Sequence, residues 1–223
     1  MQVVKIKLSW SNVHLVLGDR PALIDTGSPR DLPKILKAMT AHGVNPKDLA
    51  VIVQTHGHAD HAGCAAKLRE LSDAPVIVHR DDAPMLRAGR NAPLKPTCFS
   101  GRCLKSLLDF SFPALQPDLE IDGPVDLKEF GLDGQIMPLA GGHTNGSVAV
   151  LLANRQALVG DVLLGGYMGG AFLPQRANIH YFAENPQKNR EELAELVRMG
   201  YDNFFVGHGG PVPRESVVRR LLR

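Results

Sequence analysis

The sequence predicts an α/β layered sandwich, two sheets packed together with helices on the outside. Two observations carry this. Runs of short strands followed by a helix occur twice along the chain, and the opening strands are separated by turns tight enough for an antiparallel meander.

The elements follow in order. Val3 to Leu8, Val13 to Leu17 and Ala22 to Ile24 are short extended runs divided by Ser/Asn and Gly-Asp-Arg-Pro turns. Ser28 as N-cap, Pro29 at the first helical position, then Leu32, Ile35, Leu36 and Met39 at helical spacing predict a helix that Gly43 ends. Ala50 to Val53 is a buried strand running into Thr-His-Gly-His-Ala-Asp-His; Cys64, Leu68 and Leu71 mark a helix, and Val76 to Val78 a strand. Residues 84–118 are proline-rich around one amphipathic stretch, Leu104 to Phe112, and read as an insertion or lid. Strands resume at Gln135 to Leu139, Ser147 to Leu152 and Ala157 to Val159. The Gly-rich stretch Gly165 to Gly170 comes next, then a helix opened by Asn185 and Pro186 and closed by Gly200. Strand Asn203 to Val206 and a terminal helix through Val217 and Leu221 complete the chain.

With 223 residues, 44% hydrophobic and 22% charged, the composition is that of a globular protein. A chain of this length hides roughly 70% of its unfolded surface without disulfides, so one domain over 1–223 is expected. A net charge of +2 with no Lys/Arg block argues against a nucleic-acid partner. No window approaches the roughly 18 apolar residues of a membrane span. The first residues alternate like a strand and lack the zones of a secretory signal, and the three cysteines suit a reducing compartment, so a cytoplasmic location is expected. Cys98 and Cys103 have no second Cys or His pair to complete a structural zinc site. A homodimer is compatible with the sequence.

Of nine histidines, His56, His58, His143 and His208 lie in loops adjoining strands. The densest cluster, His56-x-His58-x-Asp60-His61, sets three imidazoles and a carboxylate within six residues, a donor set suited to zinc, or to iron or manganese. Residues two apart in an extended segment project to the same side, so His56 and His58 can grip one ion while Asp60 and His61 turn toward a neighbouring point. Held together without a metal, these side chains would repel when protonated and serve no packing purpose. His143 in Ala-Gly-Gly-His-Thr-Asn, Asp161 at the end of a strand, and His208 in Val-Gly-His-Gly-Gly each admit a turn or capping role alone; together with the cluster they read as ligands.

This pattern resembles the metallo-β-lactamase superfamily, whose signature is HxHxDH followed by a distant His, a Gly-Asp and a final His. The resemblance covers roughly residues 20–210. It implies an αββα four-layer sandwich with a dinuclear centre at one edge: His56, His58 and His143 on one metal, Asp60, His61 and His208 on the other, Asp161 bridging. Two divalent ions are expected, zinc first. Ions about 3.5–4 Å apart can hold a hydroxide between them as nucleophile, with Asp60 or a bound water protonating the leaving group.

Asp161 and the absent signal resemble the glyoxalase II-like thioesterases and lactonases rather than exported β-lactamases. The expectation is a hydrolase of a small thioester, ester or lactone. A mononuclear iron persulfide dioxygenase is the alternative on the same scaffold, with a phosphodiesterase or a β-lactamase-type amide hydrolase behind it. Asp25 in Leu-Ile-Asp-Thr-Gly matches a position that supports the ligands. Arg176 is a candidate to pair with a substrate carboxylate, Tyr181 to donate to an oxyanion, and His180 lies in the same segment. His14, His42 and His79 are read as structural or exposed, and Cys64 as a packing residue.

Overall fold

A computed structural model describes residues 1–222 of the chain. The first half contains β1 (Gln2–Lys7), β2 (Asn12–Leu17), β3 (Pro21–Ile24), α1 (Leu32–Ala41), β4 (Val51–Val53), α2 (Ala59–Ala62), α3 (Ala65–Ser72), β5 (Val76–His79), α4 (Ala83–Ala88), α5 (Phe99–Leu108) and β6 (Leu119–Ile121). Its strands form one sheet in sequence order, antiparallel from β1 to β3 and parallel from β3 to β6. The second half contains β7 (Val125–Asp126), β8 (Gly134–Pro138), β9 (Val148–Leu152), β10 (Gln156–Gly160), β11 (Leu164–Tyr167), β12 (Phe172–Asn178), α6 (Pro186–Arg198), β13 (Asn203–Val206), β14 (Val212–Pro213) and α7 (Arg214–Leu221). The second sheet runs β14-β13-β10-β9-β8-β7, and β11 with β12 makes a separate hairpin.

The four layers follow from strand alternation, since successive side chains point to opposite faces. On the first sheet Leu15, Leu23 and Ile52 face Ile35 and Met39 of α1 and Leu68 of α3. Their neighbours Val16, Ile24, Val51 and Val53 face the other way and meet Val148, Val150 and Leu158 of the second sheet. From that sheet Ala149, Leu151 and Val159 point outward onto Leu193 and Leu196 of α6 and Val217 of α7. Three cores thus separate helix, sheet, sheet and helix.

Two details depart from expectation. The first helix begins at Leu32, with Asp31 rather than Ser28 in the cap position. Residues 25–28 pair instead with the loop after β4: Thr26 N–H donates to His61 O at 2.6 Å, and Gly63 N–H to Gly27 O at 2.7 Å. Within 84–118 the long helix starts at Phe99 and stops at Leu108, and Phe112 turns into the first core instead of extending it. No helix among the described residues is long and apolar enough to cross a membrane.

The topology gathers the loops. β3, β4 and β5 are parallel, so their C-terminal ends share one edge, and β10 and β13 do the same in the second sheet. β9 is antiparallel to β10 and therefore starts at that edge. Val148 N–H donates to Thr55 O at 2.8 Å, tying the two sheets together there.

Candidate metal centre

Asp25 leaves β3 in a left-handed conformation, φ 63°, a region that Asp tolerates better than most residues. Its carboxylate accepts from Thr55 N–H at 2.7 Å and Thr55 Oγ at 2.8 Å. It also takes His61 Nδ1–H at 2.9 Å, which leaves His61 Nε2 facing the site. Two other rings are oriented by backbone, His143 Nδ1 donating to Phe182 O at 2.9 Å and His208 Nδ1 to Trp10 O at 2.7 Å, while His56 Nδ1 lies 3.1 Å from Thr55 Oγ. Holding one ring nitrogen in this way fixes the tautomer and presents the other as a ligand.

The site-facing atoms converge. His56, His58 and His143 offer donors within 4.8 Å of one another, as do Asp60, His61 and His208. Asp161 joins His56 and His61 in a third such group, and His143 and His180 in a fourth. Asp161 Oδ2 lies 3.1 Å from both His208 Nε2 and His180 Nε2 and 3.4 Å from His61 Nε2. Close approach depends on glycine: a Cβ at Gly207 would stand 2.0 Å from Asp161 Oδ1 and 2.5 Å from His61 Cε1.

The electrostatics separate the two triads. Burial, reinforced by neighbouring imidazoles, holds His56 and His143 well below the usual histidine range, and burial brings His58 down to about 4. Burial also opposes charge on His61 and His208, but the Asp161 and Asp60 carboxylates outweigh it and push both up. Burial works against ionised Asp161, and the surrounding His180, His208 and His61 overcome it, so its carboxyl is held well down.

The cluster fits a metal. His56 Nε2, His61 Nε2 and Asp161 Oδ1 are buried with no hydrogen-bond partner, and each such atom costs about 1–3 kcal/mol unless something satisfies it. The two imidazole nitrogens face one cluster of imidazoles and carboxylates, which Asp161 enters through Oδ2, the donor chemistry of zinc, iron or manganese.

Among the other sequence candidates, Tyr181 and His180 line the cavity over the cluster. The Tyr181 hydroxyl accepts from Met168 N–H at 3.0 Å. Arg176 does not reach this cavity; its guanidinium stacks 5.5 Å from the Tyr167 ring centroid and lines a different groove with Pro174 and Pro211. Cys64 is buried, donates to Ser28 O, and has its thiol pushed up to about 11 by burial.

Sequence reasoning missed Asp82. Just after β5, it accepts from Gly57 N–H at 2.8 Å, Thr144 Oγ at 2.8 Å and Gly146 N–H at 3.0 Å, clamping the His56–His58 loop to the His143 loop. Its position at a parallel strand end was the available signal.

An αββα sandwich with a buried His/Asp cluster at the joined sheet edge is the architecture of a metallo-hydrolase. The model of the metallo-beta-lactamase superfamily matches residues 10–208, and the chain belongs to that superfamily. It is 25% identical over 205 residues to a probable metallo-hydrolase of Methanocaldococcus jannaschii, covering 89% of this chain and 87% of that one. It is 30% identical over 149 residues to a hydroxyacylglutathione hydrolase of Anaeromyxobacter dehalogenans, covering 67% of this chain but 44% of the relative. Among solved structures, a protein in a di-iron-bound form is 26% identical with TM-score 0.67, covering 99% of this chain and 98% of that one. Membership supports a metal-dependent hydrolase.

Proposed function

We propose that the chain is a dinuclear metal-dependent hydrolase of a small ester, thioester or lactone. The observation that carries this is the pair of orphaned buried atoms His56 Nε2 and His61 Nε2, one in each of two adjacent donor triads, with the buried Asp161 carboxylate beside both. His56, His58 and His143 would hold one ion, Asp60, His61 and His208 the other, and Asp161 would face both. Bound there, such ions supply Lewis acidity toward a carbonyl oxygen and make water nucleophilic near neutral pH.

The chain's own groups do the rest. Asp25 keeps the proton of His61 on Nδ1, and the Phe182 and Trp10 carbonyls do the same for His143 and His208, so no ring must reorient during turnover. Asp60 lines the cavity with Oδ2 3.5 Å from His208 Nε2, where a proton can pass to a departing group. We assign 84–118 as a lid, because Phe99, Leu104 and Leu108 of α5 wall the cavity.

Asp60, His61 and His208 also bring their donors within 4.8 Å of one another, a second gathered triad that supports a dinuclear hydrolase over a mononuclear iron dioxygenase. The relative named as a hydroxyacylglutathione hydrolase supports thioester chemistry, and the similar di-iron-bound protein keeps iron beside zinc as the resident metal. The test is metal analysis of protein purified without chelator, followed by a panel of thioesters, lactones and aryl esters. Two ions per chain and turnover of at least one class are expected; inertness of metal-loaded protein toward the whole panel overturns the proposal.

A further inference from the structure

An eighth donor stands beside the seven that the motif names. His180 is 6% exposed, and its Nε2 lies 3.1 Å from Asp161 Oδ2, as close as His208 comes. With His143 and Asp161 it forms a group whose ligand atoms all fall within 4.8 Å. Its ring centroid is 4.9 Å from that of His143 and 5.3 Å from that of His208, so it spans the cavity side of both triads.

The backbone that places it is not incidental. Thr97 N–H donates to Tyr181 O at 2.9 Å, Thr97 Oγ to His180 O at 2.7 Å, and Ala183 N–H to Lys95 O at 3.0 Å. The lid segment therefore holds the ring in the site. Phe182 O lies 3.1 Å from His180 Nδ1 and 2.9 Å from His143 Nδ1. A carbonyl has two acceptor lone pairs, so one oxygen can take both N–H groups and leave both Nε2 atoms free of hydrogen. Phe182 N–H also lies 3.2 Å from His180 Nδ1; were it the donor there, His180 Nε2 would carry the hydrogen and donate to Asp161.

We infer that His180 is a metal ligand, closing the cavity side of the centre beside His143 and Asp161 through its Nε2. Competition titration with zinc and a chromophoric chelator, and the visible spectrum of the cobalt-substituted protein, test this on the full chain. His180→Ala should weaken one of the two ions by ten-fold or more and change the cobalt ligand-field bands. His180→Gln, which can still donate to Asp161, should not restore either. Unfolding of the metal-stripped proteins controls for misfolding: wild type and His180→Gln should melt together without metal and separate when zinc is added. Unchanged zinc affinity and an unmoved cobalt spectrum in His180→Ala overturn the inference, as does full rescue by His180→Gln, which would make His180 a donor to Asp161 instead.

A second, independent observation concerns the cavity wall. The cavity is about 650 Å³, with His58, Asp60, Asp161, His180 and His208 at its floor. Much of its wall is apolar, from Leu94, Phe99, Leu104, Leu108, Met168 and Phe182, with Asn91, Ser100 and Tyr181 among the polar lining. Phe99 is 79% exposed and Met168 71% exposed, so part of this apolar surface faces water. Lys7 is the one Lys or Arg among the described lining residues, a poor match for a glutathione group with its two carboxylates.

The geometry points to a substrate whose acyl part is a hydrocarbon chain lying along α5, with its carbonyl at the His/Asp floor. The proposal holds only if the chain is a hydrolase as proposed. The test is a series of straight-chain acyl thioesters and p-nitrophenyl esters from two to twelve carbons. The kcat/KM should rise up to roughly four-fold per added CH2 until the cavity is filled, and Leu104→Ser with Leu108→Ser should flatten the rise. Turnover that is flat with length, or slower throughout the series than on a hydroxyacylglutathione or a lactone, sinks the acyl-chain proposal and leaves the hydrolase; no turnover of the series, of hydroxyacylglutathione or of any lactone sinks the hydrolase itself.

Discussion

Asp25 Oδ2 and His61 Nδ1 lie 2.9 Å apart, both sealed from solvent, and the same carboxylate holds the backbone of Thr55 one residue before His56. One side chain therefore orients a ring of one triad and anchors the loop that carries the other. Asp25→Asn keeps the size but loses the charge, and its amide nitrogen cannot accept from His61. Zinc affinity should fall about 10–100-fold, read by chelator competition. An affinity within two-fold of wild type would reduce Asp25 to a turn residue.

Asp82 makes the parallel connection between the His58 and His143 loops, and its burial raises its carboxyl. Asp82→Ala strands Gly57 N–H, Gly146 N–H and the Thr144 hydroxyl in a buried pocket. Losses of this kind cost about 1–3 kcal/mol per stranded group and add imperfectly. A drop of about 3 kcal/mol in urea unfolding is expected, with the His56/His58/His143 ion weakened more than the other. Equal weakening of both ions would mean that the effect is global rather than local.

The seven proposed ligands were legible as a set because the motif that carries four of them is local, and because the other three sit near strand ends that the hydrophobic pattern marks. Asp82 and the contacts of His180 were not, since both depend on pairing between segments far apart in sequence. The β11–β12 hairpin escaped for a different reason. Gly165, Gly166, Gly169 and Gly170 leave no alternation to read, and Phe172 and Leu173 are exposed on it. β6 is three mostly exposed residues, and β7 and β14 are two residues each, recognisable by their partners alone. Ser28 carried a good local cap signal, yet tertiary pairing of residues 25–28 with the ligand loop overrode it.

Gly207 sets how closely the end of β13 can approach the centre. Gly207→Ala puts a methyl where Asp161 Oδ1 and the His61 ring stand, and neither can retreat without leaving its partners. The substitution should cost about 1–3 kcal/mol of stability through overpacking. It should also displace Asp161, so that metal-loaded protein retains one ion or none by elemental analysis. Full occupancy of both would show that the loop carrying His208 yields more readily than its bonds suggest.

Glu192 offers a pH test that leaves the His/Asp cluster alone. It sits in α6, where Oε1 accepts from Gly142 N–H at 3.2 Å while Oε2 is buried without a partner. Burial pushes its carboxyl from an ordinary 4.5 up to about 7, against the pull of the Gly142 and Ala140 backbone bonds. The folded state thus binds this proton more tightly than the unfolded chain. The stabilisation is complete below about pH 4.5 and is lost as pH rises to about 7, with a ceiling on the order of 3 kcal/mol. Glu192→Gln is neutral throughout and keeps an acceptor for Gly142. The difference in unfolding free energy between wild type and Glu192→Gln should therefore shift in favour of the variant between pH 5 and pH 7.5, because other titrating groups cancel in the comparison. A pH-independent difference would mean that Glu192 is ionised in the fold at both values, paired with a cation such as Lys188 of its own helix.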